Sequence, residues 1–386
     1  MMRSHMRSHM HTHAIDSTIV RGALELETTP HGILPHRLPA WARLQYPDPQ
    51  LLMVEAQPSG VRLVFSTTAT VIELDALATR RVYTGMPARP DCVYDLLIDG
   101  VLHAQASVAG GNVMHINPGT GAVDTTPGLA GTVRFGELPA RMKLVELWLP
   151  YNETTALVAL RTDAPIAPVP ATRPTWLHHG SSISHGSDAA SPTATWPAIA
   201  AAARNWDLVN LGFGGSALLD PFVARVMRDT PADRISIKLG INLVNLDAMR
   251  LRAFGPAVHG FLDTIREGHP TTPLLVVSPI LCPIHEDTPG PTLPDVSALR
   301  AGVLRFRATG KPAESIAGKL TLTTIRTALQ GIVAQRSATD PHLAYLDGRD
   351  LFGATDAETM PLPDHLHPNA TAHRLIGTRF AQQAFP

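Results

Sequence analysis

The sequence predicts an α/β protein of two domains: a β-sandwich, followed by a parallel sheet with helices on both of its faces. The chain of 386 residues is longer than the ~100–200 residues of a typical domain. Short alternating runs in the first half give way to strands that alternate with helical stretches, and a proline-rich stretch lies between the two halves. We therefore divide the chain into a tail (1–14), a β-sandwich (15–160), a linker (161–174) and an α/β domain (175–386).

The composition favours a small-molecule partner. The formal net charge is −1 and 17% of the residues are charged, so nothing indicates binding to nucleic acid or to a charged membrane. No apolar run is long enough for a membrane span or a secretory signal. Cys92 and Cys282 match neither a disulfide framework nor a thiolate metal site. We expect free thiols and a cytoplasmic protein, whose oligomeric state the sequence does not define.

The tail contains repeated "RSHM" units and four histidines, His5, His9, His11 and His13. A histidine-rich tract can bind a metal ion. Because no acidic side chain accompanies these repeats, we predict a disordered or vector-derived segment instead.

Alternating apolar and polar residues predict the β-sandwich, which we expect to be of the jelly-roll type. Stretches such as "VRLVFSTTATVIEL" and "MKLVELWLP" alternate in this way, with turn residues between them. Asp99 and Gly100 form the dipeptide of a two-residue hairpin turn, in which both positions prefer a positive φ. The stretch "RTDAPIAPVPATRP" then places four prolines in fourteen positions, and such a segment continues neither a helix nor a central strand.

Five strand–helix units follow the linker and predict a parallel sheet covered on both faces. Ligands of such sheets bind at the carboxyl ends of the strands. The stretches "GSSIS", "GFGGS" and "GINLVN" each follow a strand directly, so we expect them to meet at one edge. Residues 282–315, between the fourth strand and its helix, are long for a connection. We predict a lid or a wall of an acceptor site there, in preference to a disordered loop.

Several of these stretches contain residues suited to acyl chemistry. A serine hydroxyl becomes a nucleophile when a base removes its proton and a third group orients that base. In "LPDHLHPNA", Asp364 precedes His367 by three residues, a spacing that allows a hydrogen bond within one loop. Gly215 and Asn242 offer a backbone N–H and a side-chain amide for a developing oxyanion. Taken singly, each has a structural alternative as a turn residue, a helix cap or a solvated loop.

In their order, the stretches "HGSSIS", "NLGFGGS", "LGINLVN" and "PDHLHPN" resemble the four blocks of the GDSL, or SGNH, serine hydrolase superfamily. The resemblance implies a flavodoxin-like three-layer domain. It implies that Ser182 is the nucleophile, His367 the base and Asp364 the group that orients the base. The oxyanion donors would be Gly215, Asn242 and the N–H of Ser182.

The sequence departs from the family pattern at two positions. The usual "GDS" is "GSS", with Ser181 at the central position, and Leu243 follows Asn242 where an aspartate is common. Neither position belongs to the triad, so we expect changes in local hydrogen bonding and in the lining of the pocket.

The first block also offers a set of possible metal ligands, His178, His179, His185 and Asp188. Adjacent residues of a strand point to opposite faces, so His178 and His179 cannot both reach one ion. We therefore predict no metal site.

For substrate contacts, the candidates are His185, Phe213 and His285. An aryl group would need a flat apolar slot, for which Phe213, Leu218 and Phe222 are suitable, although we expect two of these three in the core.

A serine triad supports attack on an ester or thioester and transfer of the acyl group to water or to another hydroxyl. A β-sandwich ahead of such a domain is similar to the arrangement in family members that move a salicylyl-type aryl group from a coenzyme A thioester to a hydroxyl of a tetracycline-type polyketide. That resemblance implies acyl-coenzyme A as a co-substrate, a small-molecule hydroxyl acceptor and no bound cofactor.

Two alternatives stay open at this point. A carboxylesterase or deacetylase acting on small acyl or sugar acetyl esters would have the same site, although an aromatic fraction of 5% is low for a carbohydrate-binding module. A binding protein with an inactive hydrolase domain would lack a triad member, and none is missing.

Overall fold

The computed structural model describes residues 10–86, 91–117 and 119–385. Within these residues, the first domain contains an eight-stranded and a six-stranded sheet, and the second contains a five-stranded parallel sheet. The predicted fold class, a β-sandwich before a three-layer α/β domain, is confirmed.

The first domain consists of fourteen strands among the described residues, with two short helices between the fourth and fifth. The strands are β1 (His11–His13), β2 (Val20–Arg21), β3 (Glu25–Thr29), β4 (Gly32–His36), β5 (Arg62–Thr67), β6 (Ile72–Tyr83), β7 (Tyr94–Ile98), β8 (Val101–Ala106), β9 (Asn112–Ile116), β10 (Val123–Thr126), β11 (Gly131–Phe135), β12 (Lys143–Trp148), β13 (Thr154–Thr162) and β14 (Ile166–Pro168). The helices are α1 (Ala40–Gln45) and α2 (Pro49–Glu55).

The two sheets of the first domain share one apolar core. The larger sheet has the order β10-β9-β6-β13-β4-β3, with β1 on β13 and β11 on β6; the smaller has the order β14-β5-β12-β7-β8, with β2 on β5. Alternate side chains of β6 in the larger sheet, such as Leu74, and of β12 in the smaller, such as Leu147, are buried in this core. Asp99 and Gly100 join β7 to β8 with φ of 51° and 80°, which confirms the predicted hairpin turn.

The predicted limits of the β-sandwich are too narrow at both ends. His11–His13 forms β1 and pairs with β13, so this part of the tail is not disordered; His5 and His9 lie outside the described residues. Within the predicted linker, Ile166–Pro168 forms β14 on β5. Its proline is compatible with this strand because β14 lies at the edge of the sheet, where a missing N–H donor is tolerated.

The second domain contains the predicted alternation of strands and helices. Its strands are β15 (Thr175–Gly180), β16 (Asp207–Gly212), β17 (Arg234–Lys238), β18 (Leu274–Val277), β19 (Thr292–Pro294), β20 (Phe306–Ala308) and β21 (Leu343–Leu346). Its helices are α3 (Ser182–His185), α4 (Trp196–Arg204), α5 (Pro221–Asp229), α6 (Ile241–Asn245), α7 (Leu251–Gly268), α8 (Val296–Arg300), α9 (Leu322–Arg336), α10 (Gly348–Leu351), α11 (Ala354–Thr359) and α12 (Ala370–Gln383).

The parallel sheet has the order β16-β15-β17-β18-β21 and is covered on both faces. On one face, Trp176 of β15 packs against Trp196 of α4 and Phe380 of α12. On the other face, His179 of the same strand stacks on Phe261 of α7. This face alternation within β15 is the one that the strand period predicts.

Residues 282–315 are folded in the structure. They include short 3₁₀ turns, α8 and the hairpin of β19 and β20. Phe306 of β20 donates its backbone N–H to the carbonyl of Asp364 at 2.8 Å, which fixes the hairpin to the loop that precedes α12. The less favoured alternative, a disordered loop, is therefore wrong for this segment, and its role as a lid or a wall of an acceptor site stays a prediction.

The first domain packs into the second through α1 and α2. Leu38, Ala42, Leu51 and Val54 belong to the same buried cluster as the core of the second domain. Among the residues that the structure describes, we find no helix that combines the length and the apolar character of a membrane span.

Candidate active site

Three of the predicted site segments meet at the carboxyl edge of the parallel sheet. β15, β16 and β17 are adjacent, and their register aligns Gly180 with Gly212 at the strand ends. Ser182 begins α3 just after β15, Gly215 lies in the loop after β16, and Asn242 lies in α6 after β17. This is the edge at which open parallel sheets bind ligands.

A chain of two hydrogen bonds links Ser182, His367 and Asp364. Ser182 Oγ lies 2.9 Å from His367 Nε2, and His367 Nδ1 lies 2.6 Å from Asp364 Oδ2. A carboxylate at Nδ1 makes that nitrogen the donor and leaves Nε2 as the acceptor for the serine hydroxyl. The arrangement can therefore remove the serine proton and stabilise the imidazolium that results.

Backbone groups hold Asp364 in the ionised form. Its Oδ1 accepts hydrogen bonds from the N–H groups of Leu366 and His367, at 2.8 and 2.7 Å. Burial opposes ionisation, but the hydrogen bond and charge of His367 together with these backbone donors outweigh it and hold the pKa of the Asp364 carboxyl below its usual value. Pro368 and Asn369 follow, and Asn369 caps α12 by accepting from the N–H of Ala372, which fixes the position of the loop.

Asn242 and Gly215 line the cavity beside Ser182. Asn242 Oδ1 accepts a hydrogen bond from the N–H of Ala217 at 3.1 Å. The side-chain NH₂ of Asn242 is therefore left to donate a hydrogen bond into the cavity. Gly215 has φ +76°, a conformation that L side chains rarely adopt. The cavity therefore contains, beside Ser182, one backbone N–H and one side-chain amide, which are the two kinds of donor that an oxyanion hole uses.

Gln50 of α2, in the first domain, orients the peptide that carries the Gly215 N–H. Its Nε2 donates to the carbonyl of Gly214 at 2.8 Å. The Gly214 carbonyl and the Gly215 N–H belong to one planar trans peptide, in which they point in opposite directions. The hydrogen bond from Gln50 to the carbonyl therefore also fixes the direction of the N–H. Sequence reasoning missed Gln50, since no motif surrounds it and its partner lies 164 residues away.

The site opens into a cavity of about 610 Å³ between the two domains. This volume lies in the range of pockets that hold drug-sized ligands. The first domain contributes polar and aromatic side chains to its wall, among them Gln57, Arg81, Tyr83, Asp91 and Tyr151. The first half of the sequence contains no recognisable chemical motif, so these residues were not predicted.

His185 is the predicted substrate-contact residue that lines the cavity. It is buried, its Nε2–H donates to the carbonyl of Tyr151 at 2.6 Å, and Arg37 Nη2 lies 3.3 Å from its Nδ1. Both ring nitrogens thus contact protein groups, and the ring serves as a wall.

Phe213 and His285, the other two predicted contacts, do not lie among the described residues that line the cavity. Phe213 is fully buried, with the guanidinium of Arg37 over its ring; Phe222 is also in the core. His285 is buried, and its ring nitrogens contact the Thr288 carbonyl and Thr292 Oγ1. Their surroundings separate both rings from the cavity in this structure, and a direct substrate contact for either stays a prediction.

The four side chains considered for a metal site are separated in the structure. His178 bonds to Ser236 and Ser184 on one side of the sheet, and His179 bonds to the Leu211 carbonyl on the other. Burial lowers the pKa of His179 to about 4 and keeps that ring neutral. A different group, Asp188 with Asp364 and His367, has oxygen and nitrogen atoms within 4.8 Å of one another. Two of its members form the pair beside Ser182, so we assign this group to the serine site.

Two family models match the chain. Residues 18–158 match the SsfX3 N-terminal domain, and residues 175–282 match the GDSL-like Lipase/Acylhydrolase family. Among curated proteins, no sequence matches significantly.

Solved structures extend the similarity over both domains. The salicylyl-acyltransferase SsfX3 from a tetracycline biosynthetic pathway is 28% identical, with a TM-score of 0.77 over 96% of this chain and 95% of that chain. A family two carbohydrate esterase from Cellvibrio japonicus is 12% identical, with a TM-score of 0.56 over 97% of both chains. One from Clostridium thermocellum is 12% identical, with a TM-score of 0.55 over 84% of this chain and 91% of that chain. At 12% identity, the similarity to the two esterases demonstrates a shared fold alone.

Proposed function

We propose that this chain, whose residues 175–282 belong to the GDSL-like lipase/acylhydrolase family, is a serine acyltransferase. Acyl transfer or ester cleavage is the activity that the family and the similar enzymes have in common. The proposal depends on one observation: hydrogen bonds link Ser182, His367 and Asp364, and Ser182 and His367 line a cavity formed by both domains.

In the first half-reaction, His367 Nε2 takes the hydroxyl proton of Ser182 while Ser182 Oγ attacks the acyl carbon. The oxyanion that forms receives hydrogen bonds from the N–H groups of Ser182 and Gly215 and from the Asn242 amide. The imidazolium then gives its proton to the leaving group, which departs as a thiol or alcohol and leaves an acyl-serine. Asp364 keeps Nδ1 protonated and stabilises the positive ring throughout.

In the second half-reaction, the acceptor hydroxyl gives its proton to His367 and attacks the acyl-serine. Collapse of the second tetrahedral intermediate returns that proton to Ser182 and releases an ester. Water in place of the acceptor would give an acid, so transfer requires that the cavity hold the acceptor at the acyl-enzyme. A volume of about 610 Å³ exceeds what an acyl group alone needs and supports a binding site for a second molecule.

For the substrates, we propose a salicylyl-type aryl group, a coenzyme A thioester as donor and a hydroxyl of a tetracycline-type polyketide as acceptor. The support is the similarity over both domains to an enzyme described as a salicylyl-acyltransferase of a tetracycline pathway. A coenzyme A donor agrees with the cytoplasmic location predicted from the sequence, and the chemistry requires no bound cofactor. Tyr83, Tyr151 and Phe306 line the cavity and are the aromatic side chains available to an aryl group.

The test is the intact mass of the protein after incubation with salicylyl-coenzyme A or with a simple acetyl ester. We expect one added salicylyl group on the wild type, none on Ser182→Ala, and one on Ser181→Ala. The last is a matched control, because Ser181 Oγ is buried one residue away and has no hydrogen-bond partner among the described residues. Faster loss of the adduct with a polyketide alcohol than with water supports transfer.

Two results would contradict this proposal in different ways. An adduct that water removes as fast as any alcohol would make the protein an esterase. No adduct from any donor, with a folded protein, would remove Ser182 as the nucleophile and favour a binding protein.

A further inference from the structure

A second carboxylate lies beside the pair formed by His367 and Asp364. An oxygen of Asp188, a nitrogen of the His367 ring and an oxygen of Asp364 all lie within 4.8 Å of one another. Asp188 lines the same cavity as Ser182. Two carboxylates thus lie close to one imidazole, although a serine triad requires one.

The backbone holds Asp188 in an uncommon conformation. Its φ is +64°, a region that few residues other than glycine occupy and in which aspartate and asparagine are enriched. Unfavourable backbone conformations persist where the surroundings determine them, and they concentrate at functional sites.

Contacts from both domains fix the backbone on each side of Asp188. On one side, His373 Nε2–H of α12 donates to the Ser187 carbonyl at 2.8 Å. On the other, the hydroxyl of Tyr151, in the first domain, donates to the Ala189 carbonyl at 2.7 Å. The backbone that carries the Asp188 side chain is therefore held in place from both domains.

Farther along the same segment, the buried Asp95 of the first domain provides a third attachment. Its Oδ2 accepts hydrogen bonds from Ser191 Oγ and Thr193 Oγ1, both at 2.6 Å. The first domain thus anchors the segment that carries Asp188 at two points, Tyr151 and Asp95.

We propose that Asp188 is a positioning residue of the serine site: its carboxylate stabilises the protonated ring of His367 that forms when Ser182 attacks the acyl group. The proposal rests on the proposed function. At the separation observed, a negative charge favours the positive ring over the neutral ring. It acts in both half-reactions, since His367 is protonated in each.

The effect has a definite sign in a pH profile. The free enzyme needs a neutral His367, so the rate falls on the acid side as the ring is protonated. Removing the charge of Asp188 removes an interaction that favours the positive ring, so this acid limb moves to lower pH. The plateau rate falls ~3–10-fold, because the ring is also less stabilised in the transition state.

Other titratable groups near this ring must be distinguished from Asp188. They are Asp364 in the same loop, His373 of α12, Cys282 after β18, and Arg81 and Asp91 on the wall of the cavity. Burial lowers the pKa of His373 to about 4 and raises that of Cys282 to about 12. Cys282 is therefore neutral across the range in which the acid limb is measured, and His373 becomes protonated only at its acid end. Asp91 supplies the matched control: it is a carboxylate of the same cavity that is not in the group around His367.

The experiment measures the rate of acyl-enzyme formation from an aryl ester between pH 4 and 9 for the wild type, Asp188→Asn and Asp91→Asn. We expect the acid limb to move to lower pH in Asp188→Asn and to stay in place in Asp91→Asn, whatever the latter does to KM. Asparagine tolerates the positive φ, so the variant should fold. Because Asp188 is exposed, 1 M salt should move the wild-type limb toward that of Asp188→Asn.

The outcomes separate this inference from the proposed function. An unmoved limb in Asp188→Asn, or an equal shift in Asp91→Asn, overturns the role of Asp188 while leaving Ser182 as the nucleophile. A slower Asp188→Asn with an unmoved limb also overturns it, since that result indicates a structural role. Failure of the wild type to form any acyl-enzyme rejects the proposed function itself.

Discussion

The side chain of Asn242 is oriented by a backbone contact that uses only its oxygen. The N–H of Ala217 donates to Asn242 Oδ1, and this leaves two N–H groups for the cavity. In the ground state a substrate carbonyl is a weak acceptor, whereas the tetrahedral intermediate carries a full negative charge. An amide donor in this position therefore stabilises the transition state more than the bound substrate.

We expect Asn242→Ala to lower kcat by a factor of about 10²–10³, the usual loss of one oxyanion donor. KM should change little, because the lost interaction forms in the transition state. Steady-state hydrolysis of an aryl ester measures both constants. Asn245→Ala is the control, since Asn245 lies on the same helix and cavity wall but its Oδ1 accepts from Thr292 Oγ1. Equal losses of kcat in the two variants would contradict a specific role for Asn242.

At the scale of residues, the sequence predicts the side chains that belong to local motifs and misses those that reach the site from the first domain. Ser182 and Asn242 could be placed because parallel strands deliver their carboxyl ends to one edge. Gln50 could not, since nothing local indicates that a helix of the first domain reaches Gly214. For Phe213 the sequence allows both a pocket and the core, because an aromatic residue after a motif suits either, and packing against Arg37 places it in the core.

Helix α1 of the first domain packs against α5 of the second, and near this contact lie two acidic residues, one before α2 and one before α5. Asp48 precedes α2 and caps it through the N–H of Leu51 at 2.8 Å. Asp220 precedes α5 and makes no such side-chain bond. Burial, and then the charge of Asp48, raise the pKa of Asp220 to about 6. The contact between the domains is therefore disfavoured when Asp220 is ionised.

The sign of this effect follows from linkage. An acid with a raised pKa in the folded state contributes stability that is complete below its ordinary value of 3.8 and is lost as the pH rises through about 6. We expect Asp220→Asn, which keeps a good capping residue, to be more stable than the wild type at pH 8 by about 1–3 kcal/mol. At pH 4 the gain should largely disappear.

Thermal unfolding of both proteins at pH 4 and pH 8 measures this difference. Comparing the two at each pH removes the contribution of the buried histidines, such as His179, whose lowered pKa destabilises the fold in acid. Asp229→Asn, at the other end of α5, is the control: its hydrogen bond with Arg228 lowers the pKa of that carboxyl, so no gain at pH 8 is expected. A gain for Asp220→Asn that persists at pH 4 would contradict the assignment.

Among elements, the long periodic ones were predicted and the short ones were not. The strand–helix units of the second domain show clear periods, and α7 alone spans eighteen residues. α1 and α2 have six and seven residues, which is shorter than the window in which a helical period can be recognised. The prolines of residues 161–174 predict a linker because proline is excluded from central strands, whereas β14 is an edge strand, which accepts proline.

At the scale of the whole molecule, the two domains share buried polar contacts as well as apolar ones. Arg37 and Arg62 of the first domain are fully buried. Arg37 Nη1 donates to the carbonyls of Asn210 and Gly212, and Arg62 Nη1 donates to that of Leu208 at 3.2 Å. All three carbonyls belong to β16. Burial is the main reason that the pKa of Arg37 is lowered to about 9 and that of Arg62 to about 10.

The sequence does not predict this interface between the domains. A proline-rich linker and a change of pattern indicate only that there are two domains. The boundary could be predicted because it depends on local composition. The insertion of arginines across it could not, since a buried and an exposed arginine have the same local sequence signal and differ only in what the fold brings near them. As a consequence, arginines of the first domain hold β16, the strand that precedes Gly215.

We therefore predict that the two domains unfold in a single transition. Each contains one buried free cysteine, Cys92 in the first and Cys282 in the second, and burial raises the pKa of both thiols, so the native protein should react slowly with a thiol reagent. Labelling across a urea series, read by peptide mass, should give the same midpoint for the two. Arg62→Met should lower both midpoints together, because it leaves the buried Gly60 and Leu208 carbonyls without this donor and removes one of the cations that pair with Glu146 and Asp207, a loss of about 1–3 kcal/mol. Arg134→Met, which removes a surface pair with Glu73, should leave both midpoints unchanged. Labelling of Cys92 at a clearly lower urea concentration than Cys282 would mean that the two domains unfold independently and that the buried arginines do not couple them.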